Sequence, residues 1–94
     1  MPLQALTPVE QAAARDAAHP DAQFLLSEHE VPEDLQLVLF HEGFTSVRML
    51  RGLGETRIEV RDTVRDDFGL DAAGGIANRK AVAQLTNAWE SSKT

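Results

Sequence analysis

An all-α fold, a compact bundle of five or six short helices, is predicted by three observations on this 94-residue chain. Helix-start and helix-stop residues recur at short intervals along it. Period-two alternation of apolar and polar residues is scarce, and tyrosine, a common strand residue, is absent. No repeat, low-complexity tract or internal linker interrupts the pattern.

The elements follow in order. Thr7-Pro8-Val9-Glu10 places an N-cap threonine, a proline at the first helical position and a glutamate at the capping-box position. The Ala-rich helix that follows is expected to run to about Ala18, stop at Pro20, and pack weakly because alanine buries little area. Asp21–His29 reads as a second short helix, with Phe24 and Leu25 on different faces. Pro32, Glu33 and Asp34 open a third helix that ends at Gly43. Leu35, Leu37, Val38, Leu39 and Phe40 make that helix apolar on nearly every side, which marks it as the central element.

Thr45 is placed to cap a short fourth helix with Val47 and Leu50 inward, broken by Gly52-Leu53-Gly54. A fifth covers about Glu55–Phe68, with Val60, Val64 and Phe68 as a core stripe and Arg57, Arg61 and Arg65 as a parallel stripe. Gly69 ends it. The last helix starts between Asp71 and Gly75 and runs to about Ser91, with Ile76, Val82, Leu85 and Trp89 as its apolar positions. Trp89 is expected to close the core; exposed, it would be the chain's best interface anchor. Residues 1–20 form a helical extension in this reading, and residues 21–94 the main domain.

A chain of this length makes one domain and buries about 60–65% of its unfolded surface, which leaves little room for a deep, walled active site. There is no cysteine, hence no disulfide framework and no thiolate metal site. The N-terminus lacks the basic start and long apolar run of a signal peptide, and the longest strongly apolar run, Leu37–Phe40, is far short of a membrane span. The expectation is a soluble, intracellular, cytoplasmic protein.

The net charge of −6 is unevenly placed. Residues 1–42 carry eight acids against one base, Arg15, a net of −7; residues 43–94 carry eight bases against seven acids, a net of +1. Such a division keeps a small protein soluble, or lets an acidic surface dock on a basic one.

The order Phe40-x-x-Gly43-Phe44-Thr45-Ser46-Val47, then Leu50 and Leu53, then Phe68-Gly69-Leu70, then Gly75 with Arg79-Lys80, resembles the sterile alpha motif domain over roughly residues 21–90. Relative to that pattern the segments 52–67 and 71–78 are longer, and Arg79 and Lys80 are adjacent. The resemblance implies protein–protein docking, often head to tail, in which an acidic mid-domain surface meets the start of the last helix. Here the acidic side would comprise Glu28, Glu30, Glu33, Asp34 and Glu42, and the receiving side Gly75, Arg79 and Lys80. A helix start carries partial positive charge and free N–H donors, so a carboxylate docks there readily.

Leu50-Arg-Gly52-Leu53-Gly54-x-x-Arg57-Ile58 also resembles the turn of a helix-hairpin-helix motif. That resemblance implies contact between backbone N–H groups and a nucleic-acid phosphate, with Gly52, Gly54, Arg57 and Arg61 as the site. Against it stand Ile58, where the motif has a small residue, and a local charge of only +1 over residues 48–80.

Nothing points to catalysis, a cofactor or a metal. His19, His29 and His41 are widely spaced, the acid pairs Glu33-Asp34 and Asp66-Asp67 read as solvated surface, and the serines show no base beside them. The expectation is therefore a non-enzymatic assembly module whose partner is a protein, a second copy of itself or a larger complex.

Overall fold

In the computed structural model, which describes residues 6–93, the chain forms six α-helices and no strand among the described residues. They are α1 (Pro8–Ala17), α2 (Pro20–Glu28), α3 (Glu33–His41), α4 (Val47–Leu50), α5 (Arg57–Phe68) and α6 (Ile76–Ser92). Two 3-10 turns, Arg51–Leu53 and Ala72–Gly74, precede α5 and α6. The radius of gyration, 12.0 Å, matches the value of about 12 Å for a folded chain of this length. The shortest dimension, 19 Å, is two helices thick.

α1 starts as its sequence predicts. The Thr7 hydroxyl accepts the Glu10 N–H at 3.2 Å, and the Glu10 carboxylate accepts the Thr7 N–H at 3.0 Å. Ala14 and Ala18 of this segment are buried in the common core. Their small side chains let α1 lie close along α3, so contact is intimate although the area per residue is small. Arg15 reaches across to Glu33 at 2.7 Å.

α3 has Leu35, Leu37, Val38, Leu39 and Phe40 buried. The element with most neighbours is nonetheless α6, which packs on α2, α4, α5 and both 3-10 turns. It contributes Ala81, Val82, Leu85, Ala88 and Trp89 to the core. The indole N–H of Trp89 donates to the Gly54 carbonyl at 3.1 Å.

Three sequence expectations need correction. Ser46, not Thr45, caps α4, accepting the Met49 N–H at 3.2 Å; the Thr45 carbonyl instead accepts the His19 N–H at 2.7 Å. Ile76 is not a core residue but 82% exposed. It lies nine residues before Leu85, which is about 180° around the helix, so the 3.6-residue period turns it outward. The 3-10 turn over Ala72–Gly74 delays the start of α6 to Ile76, because the Asp71 carboxylate accepts the Ala73 N–H at 2.9 Å and stabilises a separate turn.

Glycine is required at two points for different reasons. Gly69 ends α5 in the left-handed region at φ 76°, and Leu70 N–H then donates back to the Val64 carbonyl at 3.1 Å. Gly54 has extended backbone but no room: a Cβ there would stand 2.9 Å from both Glu59 Cβ and the Val60 nitrogen. Gly54→Ala is therefore expected to lower stability by about 1–3 kcal/mol in chemical denaturation. Gly52→Ala, two residues away with open space around it, should be close to neutral.

The hydrogen bond from the Thr7 backbone, then that with its side chain, holds the Glu10 carboxyl below the usual carboxylate range, with a smaller contribution from His41. A carboxylate whose folded value is depressed stabilises the fold above its unfolded value, and loses that contribution as pH falls through the folded one. Acidification below about pH 4 should therefore lower the protection factors of the α1 amides, exchange being referred to the intrinsic rate at each pH. Glu10→Gln should remove this group's part of the pH dependence.

Candidate functional site

A groove of about 230 Å³ runs between α5 and α6. Its polar wall is Arg57, Arg61 and Arg79, and its apolar lining includes Ile58, Ala72, Val82 and Ala83. The helical period builds it. Arg57 and Arg61 are one turn apart on α5, with Ile58 beside them, and Arg79 begins the second turn of α6 across the gap.

The three arginines are not equivalent. Arg57 is anchored to the Glu90 carboxylate and to the Asn87 side-chain oxygen on α6. Arg61 and Arg79 make no ion pair among the described residues. Arg65, the third member of the α5 stripe, turns away to Asp62 at 3.4 Å and Asp66 at 3.0 Å, and these carboxylates raise its affinity for the proton. The groove thus brings Arg79 together with Arg57 and Arg61, which the sequence had assigned to two different sites.

The start of α6 lies at the same edge. Gly75, at φ 141° and exposed, is the N-cap and offers no side chain to the helix. The first turn contains no acid, and Arg79 and Lys80 are both exposed. Ile76 adds an exposed apolar residue next to them, and Ile58 in the groove is 63% exposed.

The acidic residues fall into separate groups. Glu28 ends α2, Glu30 sits in the following turn, and Glu33 and Asp34 open α3. Glu42 caps the other end of α3, about 12 Å along its axis. Glu33 is held by Arg15, whereas Glu28 and Glu42 make no ion pair among the described residues.

The Gly52-Leu53-Gly54 turn is arranged differently from a phosphate cradle. The Glu55 N–H just after it donates to the Glu59 carboxylate at 2.7 Å, and the Gly54 carbonyl faces Trp89. One hollow beside Gly54 is lined by Glu59, Asp62, Asp66 and Asp67, whose carboxylates repel an anion, and another by Arg51, Glu55 and Lys93.

No group of His, Cys, Asp or Glu among the described residues is placed to hold a metal ion, and no helix is long and apolar enough to cross a membrane. Sequence reasoning missed the exposure of Ile58, although the signal was present. Ile58 precedes Val60 by two positions, about 200° from the Val60/Val64/Phe68 stripe. Comparison with protein families, curated proteins and solved structures gives no match.

Glu30 in the acidic surface adopts φ 59°, a left-handed conformation that favours glycine. Its N–H donates to the Ser27 carbonyl at 3.0 Å, closing the end of α2. Glu30→Gly is expected to raise stability by about 0.5–1 kcal/mol, the steric relief exceeding the added chain entropy. A thermal or chemical denaturation midpoint that falls would show that the Glu30 side chain contributes more than its backbone conformation costs.

Proposed function

We propose that this chain is a non-enzymatic, intracellular assembly module organised like a sterile alpha motif domain, whose acidic N-terminal half docks on the basic groove and α6 start of a second copy. One observation carries the reading: Arg61, Arg79 and Lys80 lack internal ion-pair partners and stand beside exposed Ile58 and Ile76. A cationic rim around exposed apolar side chains is the usual make-up of a docking surface. The absence of a side-chain cap at Gly75 leaves the first amides of α6 available to an incoming carboxylate.

The rival reading, phosphate binding at the Gly52–Gly54 turn, has Arg51 and Lys93 beside Gly54 in its favour, but Glu59 already takes the Glu55 amide.

Sedimentation velocity over a wide concentration range tests the proposal. Association should weaken from 0.1 M to 1 M salt, as the screening length falls from about 10 Å to about 3 Å. Arg79→Glu with Lys80→Glu should weaken it at least about tenfold, or about 1.4 kcal/mol. Reversal of Glu33 and Asp34 to Lys in the other copy should recover part of the loss. A monomer at every concentration, indifferent to salt, would refute the reading; binding to labelled nucleic acid in the same buffer would favour the rival.

A further inference from the structure

Of the four phenylalanines, Phe40 and Phe68 are buried and Phe44 is half-buried against Phe68, ring centroids 5.9 Å apart. Phe24 differs: it projects from α2 and is 71% exposed. This follows from the period of the helix. Ala22 and Leu26 are fully buried, and Phe24 lies midway between them, about 200° from each.

Its neighbours along the outer face are Asp21, three residues before, and Glu28, four residues after, both exposed. The result is an aromatic knob between two carboxylates about 10 Å apart along the helix axis. No cation among the described residues pairs with either carboxylate.

The groove between α5 and α6 has the inverse make-up. Its floor includes Ala72, Val82 and Ala83, small or β-branched residues that leave space for a ring. Its rim carries Arg57 and Arg61 on one side and Arg79 on the other, across a helix–helix spacing of about 8–10 Å. The groove volume, about 230 Å³, admits one aromatic side chain and little more.

We infer that the occupant of this groove is the α2 ridge of a second copy of the chain, with Phe24 seated between Ile58 and Ala83 and with Asp21 and Glu28 meeting the arginine rim. This inference rests on the assembly reading above and names the contact within it. The two complementary surfaces belong to different elements of one molecule, so in a bound pair one copy still presents a free groove and the other a free ridge. Such a heterologous contact propagates into a ring or a filament rather than closing as a symmetric pair. An aromatic anchor in a pocket with an arginine rim is the composition in which binding energy concentrates at interfaces.

The absence of cysteine permits a direct test. Ser27→Cys, beside Phe24 on the ridge, and Ala83→Cys, in the groove, are prepared as separate proteins, each exposed at the altered position. Mixed under mild oxidation, they should give the mixed disulfide well in excess of either homodimer. Phe24→Ala should reduce that product and raise the dissociation constant in sedimentation at least tenfold, with the circular dichroism of the monomer unchanged. Arg61→Glu should have a similar effect. If charge reversal at Arg79 and Lys80 weakens association while Phe24→Ala does not, and the mixed disulfide is no more abundant than the homodimers, the ridge-in-groove contact is wrong and the assembly reading survives. A chain that never associates removes both.

Discussion

The indole N–H of Trp89 donates to the Gly54 carbonyl at 3.1 Å, joining the last turns of α6 to the turn that launches α5. Around that bond the same two segments are tied again. Arg51 Nε donates to the Ser92 carbonyl at 2.7 Å, and Lys93 Nζ lies 4.4 Å from the centre of the Trp89 ring. Gly54 must then be glycine, because the chain presses against Glu59 and Val60 as α5 begins. The placement of α5 on α6 follows from this clamp, with Val60, Val64, Val82 and Leu85 filling the common core. The groove at the far side of the same helix pair depends on it, since Arg57 and Arg61 face Arg79 only while that packing holds.

The clamp also accounts for the character of the Gly52–Gly54 turn. A hairpin that presented amides to a phosphate would need its N–H groups outward and free. Here the Gly54 carbonyl is turned toward Trp89, and the Glu59 carboxylate takes the next amide at 2.7 Å. Glu59, at the third position of α5, takes the amide one residue before the N-cap, and the Thr56 hydroxyl caps the helix by accepting the Glu59 N–H. The same glycine spacing thus serves internal packing, and a Gly-x-Gly pattern alone does not distinguish the two uses.

The fold was largely legible because its signals are local. The Thr7–Glu10 box, the unbroken apolar run of α3, the Val60/Val64/Phe68 stripe and the stop at Gly69 each involve residues within a turn or two of one another. What escaped depended on angle or on distant partners. Ile76 was placed by hydrophobicity rather than by its rotation from Leu85, and it faces outward. The groove joins Arg61 to Arg79, 18 positions apart in the sequence, and only the packing of α5 on α6 brings them together. The burial of Ala14 and Ala18 was hidden for a related reason: small side chains signal little hydrophobic area but permit close helix approach.

Internal pairing decides which charges remain for a partner. Arg15, the only cation of the first 42 residues, is engaged by Glu33. The other acids of that half, His41 aside, have no cation of their own half to meet. In the second half Arg57 is engaged by Glu90, Arg65 by Asp62 and Asp66, and Arg51 by the Ser92 carbonyl. Of the rest, Lys93 lies over Trp89, Arg48 on α4 makes no ion pair among the described residues, and Arg61, Arg79 and Lys80 stand together about one groove and one helix start. Three cations without an internal ion pair thus stand together at that edge, against a first half that carries a net −7. A surface that concentrates its unpaired cations beside two exposed isoleucines gains most from a partner that brings carboxylates and an apolar side chain together, which is the make-up of its own α2.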